Sequence, residues 1–169
     1  MGRGAAAAFV ALAALVLAAC GGSGDDAPPT SAEQRYFAEL QSIQQQGNQL
    51  AERIPSLEDV NVADGVDDAE LAKLAEFVGV TRRLHEAIGD ALRKLAPPSS
   101  LRDAHFAYAD AVAQVAAVAA SAEDSLEDRG AVAAAFGGIV RASTASAKAC
   151  QALQREATER GIAVDLLCG

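Results

Sequence analysis

Four stretches of the chain carry apolar residues at steps of three and four, the spacing that lines one side of an α-helix. The first opens at Thr30, a capping residue followed three positions later by Glu33, and places Tyr36, Leu40, Ile43, Leu50 and Ile54 on one stripe before Pro55. An Asp-rich stretch over 55–67, with Gly65 and no sustained period, reads as a loop. Asp67, Asp68 and Glu70 then announce a second helix whose stripe is Leu71, Leu74, Val78, Thr81, His85, Ile88, Leu92 and Leu95. Pro97 and Pro98 stop it, Ser99 and Ser100 offer a cap for the next, and Asp103 sits near that helix's positive end.

The third stripe runs through Leu101, His105, Tyr108, Val112, Val115, Ala119, Ala122 and Leu126. An acidic break over 123–130 ends in Gly, and a fourth stripe of Val132, Phe136, Ile139, Ser143, Ser146, Cys150 and Leu153 continues until Gly161. No stretch alternates Val, Ile and Thr at period two. The pattern predicts an all-α domain over 31–169, an antiparallel up-and-down four-helix bundle. The apolar run 111–122 is too short to span a bilayer and contains Gln114, so it reads as a buried helix face.

The chain begins differently. Arg3 is followed by an uncharged apolar stretch over 5–19 and then Cys20, a run of the length expected for an export signal rather than a membrane span. Leu17, Ala18, Ala19 and Cys20 resemble the lipobox of bacterial lipoproteins. The resemblance implies a signal peptide over 1–19 and a Cys20 that carries the lipid as the first mature residue. A thiolate is the nucleophile such lipidation needs, and small residues before it give a peptidase access. Residues 20–30, rich in Gly and ending in Pro28 and Pro29 before Thr30, read as the lipidated cysteine and a flexible tether. The expected location is the cell membrane or outer membrane, lipid-anchored, with the domain on the extracytoplasmic side.

Composition sharpens this picture in two places. Aromatics are only 4% and Trp is absent, so the core must be built from Ala, Leu and Val, which favours close helix packing. Net charge is −9, and removing the leader removes one cation, Arg3, and no acid, which makes the remainder −10. Nothing basic is longer than Arg82 and Arg83, which excludes nucleic acid as a partner and leaves membrane attachment to the lipid. With Cys20 lipidated, Cys150 and Cys168 form an even pair in an oxidising compartment and are expected to bridge. The alternative is two separate buried thiols.

Chemistry-bearing residues are few. The only histidines, His85 and His105, fall on the stripes of successive helices, but counting from the Pro97 turn offsets them by roughly 7 Å along the axis, too far to share one metal easily. His105 reads as a core side chain bonded to Tyr108, Asp103 or the neighbouring loop; the sharper alternative makes His85, His105 and Tyr108 a ligand-binding set. Neither the Glu-x-x-His pair of di-iron bundles, nor a haem-attachment motif, nor a Gly-x-Ser-x-Gly elbow occurs. The acids Glu58, Asp59, Asp64, Asp67 and Asp68 lack calcium-loop spacing and read as a solvated run.

The segment from Leu95 through Pro97, Pro98 and His105, the segment around Cys150 and Leu153, and the close in Val164, Leu166 and Cys168 resemble small helical envelope lipoproteins of GC-rich bacteria. That resemblance implies the helical fold and the terminal cysteine pair and transfers no activity. The expectation is a non-enzymatic, membrane-anchored module without cofactor or structural metal, binding an envelope protein or small ligand. Its rival is a metal- or small-ligand-binding bundle that uses His85 or His105.

Overall fold

The structure, a computed structural model, describes residues 28–58, 60 and 66–168. Within them lie four helices, α1 (Ser31–Ala51), α2 (Asp68–Lys94), α3 (Arg102–Ser125) and α4 (Val132–Glu159), and no strand. The expected leader over 1–19, Cys20, the tether up to residue 27, and Asp59, Asp64 and Gly65 of the acidic loop lie outside the described residues.

Local chemistry sets the helix ends. Thr30 and Glu33 form a complete capping box on α1, and Asp67 and Glu70 form one on α2, so each helix start has backbone donors satisfied by side chains from both sides of the turn. Arg93 and Lys94 occupy the last turn of α2, where cations complement the helix dipole. After Leu95, the two prolines lead into a single 3-10 turn, Ser99–Leu101, and then α3. Helix α4 closes with Gly161 in the left-handed region (φ 67), which lets Gly161 N–H reach Thr158 C=O at 3.0 Å and Ile162 N–H reach Ala157 C=O at 2.9 Å.

Cross-helix contacts establish the topology. On α1, Tyr36 packs with Leu95 and Gly47 faces Ile88; between α2 and α3, Gly89 faces Val112 and Arg82 pairs with Glu123 at 2.9 Å. Between α3 and α4, Val118 faces Gly138 and Leu126 clusters with Val132, while Glu33 at the start of α1 and Arg160 just after α4 meet at 3.8 Å. Each pair has rising numbers on one side and falling numbers on the other, so the helices run up, down, up and down. Helix α3 packs most extensively on its chain neighbours α2 and α4. Comparable partners bury Phe37, Leu40, Leu92, Leu101, Leu153 and Leu166 together at one end, the largest core cluster.

With 21 residues α1 is about 31 Å long, against about 42 Å for the 28 residues of α4. It covers α2 only down to the level of Leu84 and Ile88. At the other end the chain after α1 contributes Leu57, Val60 and Val66, which pack with Leu74, Leu126 and Val132.

Residues 162–168 double back along α4 as a strap. Gln154 holds it at two points, its Nε2 donating to Val164 C=O and its Oε1 accepting from Leu166 N–H, both at 2.8 Å. Leu166 is fully buried, Gln41 of α1 donates to Asp165 C=O at 3.2 Å, and the sulfurs of Cys150 and Cys168 are within bonding distance, with Cα atoms 5.5 Å apart.

The third stripe is buried at all eight positions. The second shifts by one residue: Leu84 is buried, while His85 and Ile88 are only half-buried on its flank. On the first, Phe37, Gln44 and Gly47 join Tyr36 and Leu40 inside, and Leu50 lies exposed because α1 ends beside it. Ser99 and Ser100 do not cap α3; the Ser100 hydroxyl instead donates to Glu33 Oε1 at 2.8 Å, tying the α2–α3 turn to the start of α1. Glu123, placed in the break by its sequence, remains helical and pairs with Arg82.

Candidate functional site

All four helices and the strap wall a cavity of about 190 Å³ near the C-terminal half of α1. Gln44, Gly47 and Asn48 come from α1, Leu84, His85 and Ile88 from α2, Tyr108 and Val112 from α3, Ser143, Ser146 and Ala147 from α4, and the disulfide with Leu167 closes it. At Gly47, α1 and α2 approach so closely that an added Cβ would come within 2.8 Å of Ile88 Cδ1. Among the described residues no Asp, Glu, Lys or Arg lines the cavity.

Its polar groups have definite hydrogen-bonding roles. A disulfide sulfur carries no hydrogen, so Gln44 Nε2, 3.6 Å from Cys150 Sγ, must donate to it, which orients the amide. The same Nε2 meets the Tyr108 hydroxyl, whose oxygen therefore accepts; the Tyr108 proton has no acceptor among the described residues. Tyr108 is buried, and burial pushes its ionisation above the usual phenol value although the Gln44 contact opposes this.

His85 Nδ1 lies 2.8 Å from Thr81 C=O, and a carbonyl only accepts, so the proton is on Nδ1 and Nε2 offers a lone pair. Burial holds the imidazole below its ordinary pKa, outweighing the Thr81 hydrogen bond, and favours the neutral ring. The cavity thus combines the Tyr108 O–H donor, the His85 nitrogen acceptor and the polar side chains of Gln44, Asn48, Ser143 and Ser146 with apolar contact from Leu84, Ile88 and Val112.

His105 does not belong to this cavity. It is buried at 1% exposure, its Nδ1 is 3.1 Å from the Tyr36 hydroxyl, and the Leu92 backbone bonds the ring. With Leu92 C=O accepting from Nε2–H, Nδ1 accepts the Tyr36 O–H, and both ring nitrogens are satisfied. The partner is therefore Tyr36 of α1, not Tyr108, Asp103 or the adjacent loop, because the buried face of α3 turns His105 toward α1. Burial also lowers the pKa of His105, the Leu92 bond acting against it, and raises that of Tyr36.

Of the three sequence candidates, the structure brings His85 and Tyr108 to one cavity and leaves His105 in a closed core pair. Gln44 was not singled out in the sequence, since a polar residue at a core position acquires meaning only from Tyr108 and Cys150, which lie far along the chain. Among the described residues no group of three His, Cys, Asp or Glu side chains could hold a metal ion, and no helix is long and apolar enough to cross a membrane. Two acids of the predicted solvated run have structural roles: Asp67 caps α2 and Asp68 pairs with Arg129.

No protein-family model, curated protein or solved structure matches the chain.

Proposed function

We propose that this chain is a lipid-anchored envelope protein whose helical bundle binds a small molecule without transforming it. The observation that carries the binding reading is the uncharged cavity holding His85 Nε2 and the Tyr108 O–H unpaired. On one solvent-accessible wall these two groups have hydrogen bonds left to make, one as donor and one as acceptor, which an occupant can complete. Among the described residues the wall holds no carboxylate, amine or thiolate, since both cysteines are disulfide-bonded; His85 is its one basic group, and no carboxylate side chain backs it. Among the described residues His85 has no second metal-type ligand beside it in the wall, and hydrogen bonding with apolar contact is the means left to hold an occupant.

The anchor reading is supported by the apolar stretch over 5–19 and by the resemblance of Leu17, Ala18, Ala19 and Cys20 to a lipobox. Two acyl chains on Cys20 would give durable attachment where one chain gives only reversible binding. Thr30 begins the bundle within ten residues of Cys20, which keeps the domain close to the membrane surface.

Non-reducing intact-mass and native-state mass spectrometry of the protein purified from its own membranes tests both parts. Cleavage before Cys20 with at least two acyl chains, together with a dissociable small-molecule adduct, is the expected result. An unacylated Cys20 overturns the anchor, and an adduct-free protein that also takes up no small molecule from its membrane extract overturns the binding role.

A further inference from the structure

Given that the cavity binds a ligand, we propose that its ligand class is an uncharged, single-ring molecule bearing one hydroxyl, a phenol-type compound, held against Leu84, Ile88 and Val112 with its hydroxyl at Tyr108 or His85. Three observations converge on this class.

Size comes first. A dry apolar cavity of about 150 Å³ suffices for benzene, and pockets for drug-sized ligands start at about 300 Å³. At about 190 Å³ this open pocket has room for one substituted ring.

Charge comes second. A carboxylate or ammonium entering the cavity would lose its hydration and find no opposite charge among the lining residues. Ionised ligands are therefore disfavoured, although the chain as a whole is strongly acidic.

Hydrogen bonding comes third. Gln44 uses the Tyr108 oxygen as an acceptor and so leaves the Tyr108 proton to donate, while Thr81 takes the Nδ1 proton of His85 and leaves Nε2 to accept. A hydroxyl is the smallest group able to answer either, as acceptor for Tyr108 or as donor to His85. Leu84, Ile88 and Val112 supply apolar contact for the ring, beside the polar Asn48, Ser143 and Ser146.

The test titrates the full-length protein in lipid nanodiscs with phenol, benzene and benzoate, following the backbone amide resonances of Gly47, His85 and Ala147. Phenol should move these resonances saturably, and benzoate should bind at least tenfold more weakly. Tyr108→Phe or His85→Leu should weaken phenol about tenfold, the value of one hydrogen bond, while leaving benzene within twofold. The His85 variant keeps the experiment decisive if Tyr108→Phe fails to fold, because His85 is only half-buried.

Benzoate binding as tightly as phenol overturns the class, as does a phenol affinity that neither variant separates from that of benzene. In both cases the cavity remains a binding site. If none of the three probes moves the cavity resonances, the class and the binding reading fall together.

Discussion

Severing the Cys150–Cys168 bridge should lower the melting temperature by about 10 °C, and the figure follows from the length of chain that the bridge encloses. The two cysteines are 18 positions apart. Closing a loop of that size removes chain entropy from the unfolded state worth about 3 kcal/mol at 25 °C. In a domain of this size each kcal/mol moves the melting point by about 3–5 °C. The strap retains its two bonds to Gln154 and the fully buried Leu166 after the bridge is cut, so it should stay docked in the native state. The loss therefore resides mainly in the unfolded chain.

The assay is thermal unfolding, followed by circular dichroism, of a Cys150→Ala/Cys168→Ala double variant beside oxidised and fully reduced wild type. The variant and the reduced protein should melt together. A decrease below about 3 °C would refute the loop-entropy reasoning. In the oxidised protein, Leu166→Ala should independently remove about 2–4 kcal/mol by emptying a core position. If it does not, the strap is held by its sulfur alone.

Three further outcomes follow from the same geometry. Tyr36→Phe leaves His105 Nδ1 buried without its donor and should destabilise by about 1–3 kcal/mol, read as a lower urea midpoint with an unchanged slope. Both histidines have native pKa values below the unfolded value of 6.5, so the unfolded chain binds protons first on acidification. Stability should thus be full above that value and fall as pH drops below it, until the native rings also titrate; His105→Gln should flatten urea midpoints measured from pH 7 to 5. Glu33, held below the carboxylate range chiefly by the Thr30 backbone N–H, adds a second loss, which starts as pH falls below its unfolded value of 4.5. Gly89→Ala should stabilise by about 0.5–1 kcal/mol in the same unfolding assay, since an added Cβ meets Arg93 and Val112 only at ordinary contact distances of 3.7 and 3.8 Å.

How far the sequence alone reached depended on how many elements decide each position. Helix α3 lies between α2 and α4, so its apolar period had one consistent solution and all eight predicted positions are buried. On α2, steps of three and four admit both Thr81–Leu84 and Thr81–His85, and only the packing of α3 selects Leu84. That choice moved His85 from the core to the cavity wall. Leu50 fits the period of α1 but is exposed because α1 stops beside it, a fact of length that periodicity does not carry. Gln44 was illegible for a different reason: its two partners belong to α3 and α4, and a lone polar residue on an apolar stripe does not name them. Cysteine counting, by contrast, anticipated the pair at 150 and 168, because with Cys20 assigned to lipid only two thiols remained.

The up-and-down order of the helices also bears on how the chain reaches this state. Because α2 and α3, and then α3 and α4, pack chiefly on the element next to them in the chain, most native contacts close short loops. Low contact order of this kind belongs to domains that fold in microseconds to milliseconds. A polypeptide threaded unfolded through a membrane and tethered at its first residue, as proposed for this one, can therefore zip up hairpin by hairpin. Only the docking of α1 against α4 and the sulfur bridge remain to be completed once the rest is in place, and the slow step of maturation becomes oxidation rather than folding.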